Sequence, residues 1–311
     1  MRTGFRIDAN YVEDTVAVEI GSFLSIISFP NQRFSIELMS RSRERWLGAD
    51  ARLTDSLSGF LPFYMQFKRP SAYPDYSRSR IIQDRIQIKP NPLQISPRVL
   101  FFSLRNKKPN HRDYQHNILY RLRHRLRSKQ LGDAAYVCPL FLDWQAYRNH
   151  LHKVALVPVI RSSPHKIINR TSLIIFSSPV SISLNDITIL REHICIPPHK
   201  LVNSARHSYS FTENGDQVCF HSPEAIVEDV RLLNGWIEYL TSDLAQRQMI
   251  TKENALESLH FLIKGEHPKE LLDHPKEIFE EHDPIAAWMM WGDYLLNSYS
   301  IYQYAIYKWD A

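Results

Sequence analysis

Residues 59–70, GFLPFYMQFKRP, constrain the fold of this chain more than any other stretch. Leu61, Phe63, Met65 and Phe67 alternate with Tyr64, Gln66 and Lys68. A period of two sends successive side chains to opposite sides of an extended backbone, so the pattern predicts a half-buried β-strand. Its apolar side packs against a helix. Gln66 and Lys68 then stand next to each other on the other, open side.

The flanking residues extend this reading. Residues 49–54, ADARLT, predict a second strand with Asp50 and Arg52 on one face. Residues 55–59, DSLSG, are polar and end in glycine, which predicts a hairpin loop pairing the two strands antiparallel. Asp50 then lies beside Gln66 and Lys68. Upstream, residues 31–46 read as a helix with Asn31 as N-cap after Pro30. Glu37 and Glu44, two helical turns apart, share a face of it. Carboxylates, a carboxamide oxygen and an ammonium on one face form the layout of a metal-dependent phosphodiesterase centre.

Further along, residues 16–29 are apolar and enter the core as a helix or strand, and residues 69–97, polar with several prolines, read as a long loop or insertion. Residues 99–104 predict a strand. Residues 114–129 give the clearest helix: Ile118, Leu119, Leu122 and Leu126 form its apolar stripe, and Arg121, Arg123, Arg125 and Arg127 occupy the other faces. Gly132 is placed to end it. Residues 134–141 predict a buried strand, 144–154 a short helix and 158–198 a mixture of strands and turns. Residues 207–221 predict a hairpin around Asn214-Gly215. From Pro223 the pattern reads as helical, closing with an aromatic-rich packed helix. The fold class expected is α/β (α+β), divided into a core over 1–155 with an insertion near 70–97, a β-rich extension over 156–222 and a helical region over 223–311.

Charge is unevenly spread. Between Arg98 and Gln130 stand ten Lys or Arg and one acid, Asp113, a net +9 by subtraction, whereas residues 251–311 hold eleven acids and five lysines. A basic middle points to contact with a polyanion there, and the acidic, aromatic end offers itself to a protein partner. Apolar residues make up 44% of the chain, which places it among globular rather than disordered proteins. No run reaches the roughly 18–20 apolar residues of a membrane span. The polar, acidic N-terminal stretch lacks the apolar segment of a signal peptide, so a cytoplasmic location is expected. Three scattered cysteines agree with a reducing compartment. Cys195, His199, His207, Cys219 and His221 fit no common zinc-finger spacing and read as buried cysteines and satisfied or exposed histidines. No glycine-rich phosphate loop and no Gly-x-Ser-x-Gly occurs.

The order helix, strand, strand, basic helix, strand over about residues 32–141, with Glu37 or Glu44, Asp50 and Gln66-Phe67-Lys68, resembles the core of the PD-(D/E)XK nuclease superfamily. The chain departs from the commonest form in carrying Gln66 where glutamate is usual. The resemblance implies a restriction-endonuclease-like mixed sheet flanked by helices. It also implies hydrolysis of nucleic-acid phosphodiesters, DNA above all, with Mg²⁺ or Mn²⁺, in bacterial restriction or anti-phage defence. Asp50, Gln66 and Glu44 would hold the metal, with Glu37 as the alternative glutamate. Lys68 would orient the attacking water or stabilise charge on the phosphate. Gln115 and His116 would reach the scissile phosphate, and Arg121, Arg125 and Arg127 would track the backbone from the solvent side of the helix. A module that keeps this fold and binds nucleic acid or a partner without cleaving is the competing expectation.

Overall fold

The computed structural model describes residues 5–27, 34–39, 57–109, 111–150, 188–222, 224–226, 228–242, 248–264 and 284–309. They form a mixed α+β fold with two six-stranded sheets. The central sheet runs β11 (Arg231–Leu232), β7 (His193–Ile196), β6 (Asp133–Pro139), β3 (Leu57–Phe67), β12 (Tyr302–Trp309), β2 (Phe34–Leu38). The second sheet runs β1 (Ile7–Asp8), β4 (Ser71–Pro74), β5 (Arg98–Ser103), β8 (Ser208–Phe211), β9 (Val218–Phe220), β10 (Glu224–Ile226), antiparallel throughout. Both sheets draw strands from widely separated parts of the chain.

Strand β3 is the axis of the molecule. Every residue from Gly59 to Lys68 is buried. The open face expected for Gln66 and Lys68 is therefore corrected: both sides of β3 are covered. Phe60 and Tyr64 share the face of Gln66 and Lys68, and Phe60 packs edge-on against Trp288 of α8 (Pro284–Tyr299). Phe63, on the opposite face, meets Trp236 of α6 (Leu233–Thr241) edge-on and stacks on Tyr304. Neither edge of β3 is free for an aspartate hairpin. β12 pairs along it antiparallel from Leu57 to Met65, β6 pairs in parallel from Phe63 to Phe67, and Ile250 bridges Phe60. Leu57 to Gly59, expected in the hairpin loop, already belong to the strand.

The ends of the chain also differ from the sequence expectation. Residues 34–38, expected within a helix, form β2, because Phe34, Ile36 and Leu38 alternate with Ser35 and Glu37 and a partner strand is available in β12. The first helix is instead α1 (Glu13–Ile27). The helical C-terminal region holds α6, α7 (Ala255–Ile263) and α8, but it ends in β12, which lodges between β3 and β2. Ser300, with φ at +52°, turns the chain from α8 into that strand. The insertion expected at 70–97 holds β4 and α2 (Arg80–Gln87).

The expected basic helix is α3 (Gln115–Ser128), and its stripe of Ile118, Leu119, Leu122 and Leu126 is buried as the spacing requires. It is the last element of the crossover from β3 to the parallel strand β6, after β4, α2 and β5. Short helices α4 (Trp144–His150) and α5 (Thr188–Arg191) complete the described elements. An aromatic seam joins the sheets: Phe102 lies 5.2 Å from Tyr136 and 5.3 Å from Tyr209, ring to ring. Among the described residues no helix is long and apolar enough to cross a membrane.

Between α3 and β6 the chain turns at Gly132, with φ at +147°. A Cβ at that position would stand 1.9 Å from the Pro62 carbonyl oxygen of β3. The parallel pairing of β3 with β6 thus needs a residue without a side chain here. Replacing Gly132 by alanine is expected to lower stability by about 3 kcal/mol or more in chemical denaturation. A loss under about 0.5 kcal/mol would contradict this close approach.

Candidate active site

Gln66 and Lys68 lie at the carboxyl end of β3, where the parallel β3–β6 pair begins its crossover, and Gln115 opens the crossover helix α3. In α/β sheets this end, at the start of a crossover helix, is where ligand-binding crevices form. Lys68 is 2% exposed, and its Nζ donates to Gln115 Oε1 at 3.1 Å. Gln115 Nε2 in turn donates to the carbonyl oxygen of Tyr299, at the last turn of α8. Gln66 Nε2 reaches the same carbonyl at 3.4 Å. Helix termini leave carbonyls without intrahelical partners, and the end of α8 uses this one to hold two carboxamides in place.

The electrostatics of Lys68 are unusual. Among the described residues no carboxylate lies within ion-pair distance of it. Burial lowers its pKa to about 8, the charges of Arg105 and Glu13 acting in opposite directions on it. Its Nζ sits 5.6 Å from the centre of the Tyr136 ring. Gln66 is 1% exposed and its Oε1 has no hydrogen-bond partner among the described residues. Above this floor lies a wetter rim: Glu13, in the first turn of α1, pairs with Arg105 and accepts the Arg69 backbone N–H at 3.2 Å. Glu13 and Tyr299 escaped the sequence reading, and Arg105 entered it only as part of the basic stretch, because each stands far from residues 59–70 in the chain. A first-turn acid and a residue just before a strand carry no signal of their own.

The other expected site residues divide. Glu44 and Asp50 lie outside the described residues. Glu37 is placed by its backbone on β2, opposite Ala305 of β12. β2 runs parallel to β3 with β12 between them, so the chain leaves β2 after Met39 level with Gln303 and Tyr64, near the Gln66–Lys68 end of the sheet. His116 does not face the centre. It is buried in the inter-sheet seam, where Nε2 donates to the Lys200 carbonyl at 2.7 Å and Nδ1 accepts from Tyr136 Oη at 2.8 Å. Burial above all drives its pKa down to about 4, which keeps it neutral.

The arginines of α3 are also reassigned. Arg121 pairs with Asp113 at 2.7 Å, and Arg125 donates to the Leu262 carbonyl of α7 at 2.6 Å. Arg127 pairs with Asp229 at 2.5 Å, and Arg123 bridges Asp229 and Asp133. Arg123, Arg125 and Arg127 fasten α3 to its neighbours and Arg121 ties it to its own lead-in, where a free phosphate-tracking row was expected on the solvent side. An arginine already facing a carboxylate or carbonyl has to break that bond before it can meet a phosphate.

Two other constellations resolve as structure. Among the described residues no three His, Cys, Asp or Glu side chains gather to hold a metal, and Cys195 and Cys219 fall in different sheets. Asp84, His221 and Ser210 do form a chain in the carboxylate–imidazole–hydroxyl order of serine hydrolases, each link 2.9 Å. Ser210 is wholly buried between β5 and β9, and Arg85 donates to its Oγ at 3.0 Å. That network pins α2 to the second sheet.

No protein-family model, curated protein or solved structure matches this chain.

A buried ammonium without a counter-charge destabilises the fold. With its folded pKa near 8 and the ordinary lysine value at 10.5, the unfolded chain binds the extra proton between those pH values. The cost is therefore full below pH 8 and fades as pH rises to 10.5. In a chain carrying Glu44→Ala and Asp50→Ala, Lys68→Met is expected to raise stability by about 1–3 kcal/mol at pH 7, with the gain vanishing near pH 10.5. Denaturant midpoints across that range measure it, and a loss of stability at pH 7 would contradict it.

Proposed function

We propose that this protein is a metal-dependent nuclease acting on DNA. Gln66, Lys68 and Gln115 form the floor of its centre, and Glu44 and Asp50, from the segment between β2 and β3, bring the carboxylates. The observation that carries this reading is the Gln66 carboxamide oxygen, buried without a described partner two residues from a buried amine that has no described counter-charge. Leaving such an oxygen unsatisfied costs about 1–3 kcal/mol, and strain of this kind gathers where a fold gives up stability for function.

The residues fit a hard cation in part. Mg²⁺ and Mn²⁺ take oxygen ligands, and Gln66 Oε1 is a neutral one; the negative ligands have to come from Glu44 and Asp50. Glu13 is the described carboxylate whose charge acts on Lys68. When bound, the ion would acidify a water and neutralise phosphoryl oxygens. The chain's own contribution is positioning and charge. Gln115 Oε1 aims the Lys68 amine, the Tyr299 carbonyl keeps both carboxamides from swinging, and burial removes competing water. Lys68, with a pKa of about 8, is mostly charged at neutral pH and so able to donate to a phosphate oxygen.

The full burial of Gln66 and Lys68 favours a second reading, in which the same fold binds nucleic acid or a protein partner without cutting. Incubation of plasmid DNA with the protein and Mg²⁺ or Mn²⁺ separates the two. Nicking or linearisation is expected, abolished by EDTA and by Asp50→Ala or Lys68→Ala in folded variants. Cleavage that survives Asp50→Ala or EDTA would sink the metal-centre assignment, and binding without cleavage by the unaltered chain would establish the second reading.

A further inference from the structure

We infer that the basic turn joining β5 to α3 is the surface on which nucleic acid lies, with Lys107, Lys108 and Arg112 each taking a backbone phosphate. This rests on the reading of the centre as a nucleic-acid site, and it moves the contact surface away from the α3 arginines.

The turn is built as a fixed platform. Leu104 N–H donates to the His207 carbonyl at 3.0 Å, where β5 ends. Arg105 pairs with Glu13 and directs Nη1 to Ser300 Oγ at 3.5 Å. His111 closes a tight turn by donating its backbone N–H to the Lys108 carbonyl at 3.0 Å, and its ring lies 4.5 Å from the Tyr299 ring. The turn is thus pinned at Arg105 and His111 to the end of α8, the end whose carbonyl holds Gln66 and Gln115. Lys107 and Lys108 stand between the pins and Arg112 just beyond them, all three exposed. The platform and the Lys68 floor share Tyr299 as a common support.

Charge decides between this turn and α3. Among the described residues no carboxylate pairs with Lys107, Lys108 or Arg112, whereas Arg121, Arg123 and Arg127 each face one at 3.1 Å or less. An exposed, unpaired cation gains the full entropy of counterion release when it meets a phosphate, while a paired one first loses its carboxylate. A pinned turn also spends little ordering entropy on binding. Lysine ammonium groups act as point charges, so the surface reads the backbone and tolerates any base sequence.

The test is a binding titration of a labelled DNA duplex in EDTA at several salt concentrations. The chain carrying Lys107→Ala, Lys108→Ala and Arg112→Ala is compared with one carrying Arg78→Ala, Lys89→Ala and Lys264→Ala, exposed cations elsewhere with the same loss of charge. The turn variant is expected to flatten the log–log salt slope by about 2.7, three contacts at about 0.9 each, and to weaken binding roughly a hundredfold at 0.1 M salt. The control variant is expected to keep its slope. An unchanged slope in the turn variant, an equal loss in the control, or no binding by the unaltered chain overturns the assignment. Metal-dependent cleavage is read separately. A chain that binds through the turn and cuts nothing removes the nuclease reading alone; one that cuts while the turn variant keeps its slope removes this surface alone.

Discussion

The position of β12 governs the rest of the molecule. The last described strand lies in the middle of the central sheet, hydrogen-bonded to β3 on one side and β2 on the other. Among the described strands, β2 pairs with β12 alone. Tyr64 Oη donates to Gln303 Oε1 at 2.8 Å across 239 residues of sequence, and Gln303 Nε2 passes the connection on to the Trp288 carbonyl at 2.9 Å. Contacts of such span close late and slowly, since loop closure precedes any gain from pairing. The same placement sets where α8 stops. With Ser300 in the left-handed region, the Tyr299 carbonyl falls at the carboxyl end of β3, where it holds Gln66 and Gln115. The candidate centre is therefore assembled by the far end of the chain.

Two buried polar clusters, similar in composition, differ in how far they are satisfied. In the second sheet, Arg85 donates to the Gln94 and Gln217 carbonyls and to Ser210, and His221 joins Ser210 to Asp84. No buried atom of these side chains is left over among the described residues. A fully satisfied network in a low-dielectric interior rigidifies, and its hydroxyl has no surface to work on. The Gln66–Lys68–Gln115 cluster is different. One oxygen has no described partner, and one ammonium has a carboxamide where a carboxylate would neutralise it. That contrast, more than the motif itself, separates a fastening from a candidate centre.

The sequence disclosed the local patterns and hid the layers. The α3 stripe, the Asn214-Gly215 hairpin and the strand at 133–139 could be read because periodicity and turn chemistry act over a few residues. The burial of Lys68 could not. Its strand alternates as a half-buried one would, and only Phe60 and Tyr64, large aromatic groups on the supposedly open face, signal that a second helical layer covers it. Residues 34–38 alternate over too few positions to stand out from the flanking helix-like pattern. In β12, Tyr302, Tyr304, Ile306 and Tyr307 make both faces apolar, which no period distinguishes from a buried helix. Gln66, Lys68 and Gln115 were named from sequence and do meet; His116 and the α3 arginines were named for their charge and position, and their partners lie in segments that no local pattern connects to them.

The candidate centre depends most directly on the burial of one amine, Lys68. Selective ¹³C labelling of lysine, with Lys68→Met to assign the signal, would follow the Lys68 ε-carbon through a pH titration by NMR. A midpoint near 8, moving up when Gln115→Ala opens the floor to water, is the expected result. A midpoint at the ordinary lysine value of about 10.5 that persists in a chain carrying Glu44→Ala and Asp50→Ala would mean that Lys68 is solvated, and the buried floor of the centre would not exist.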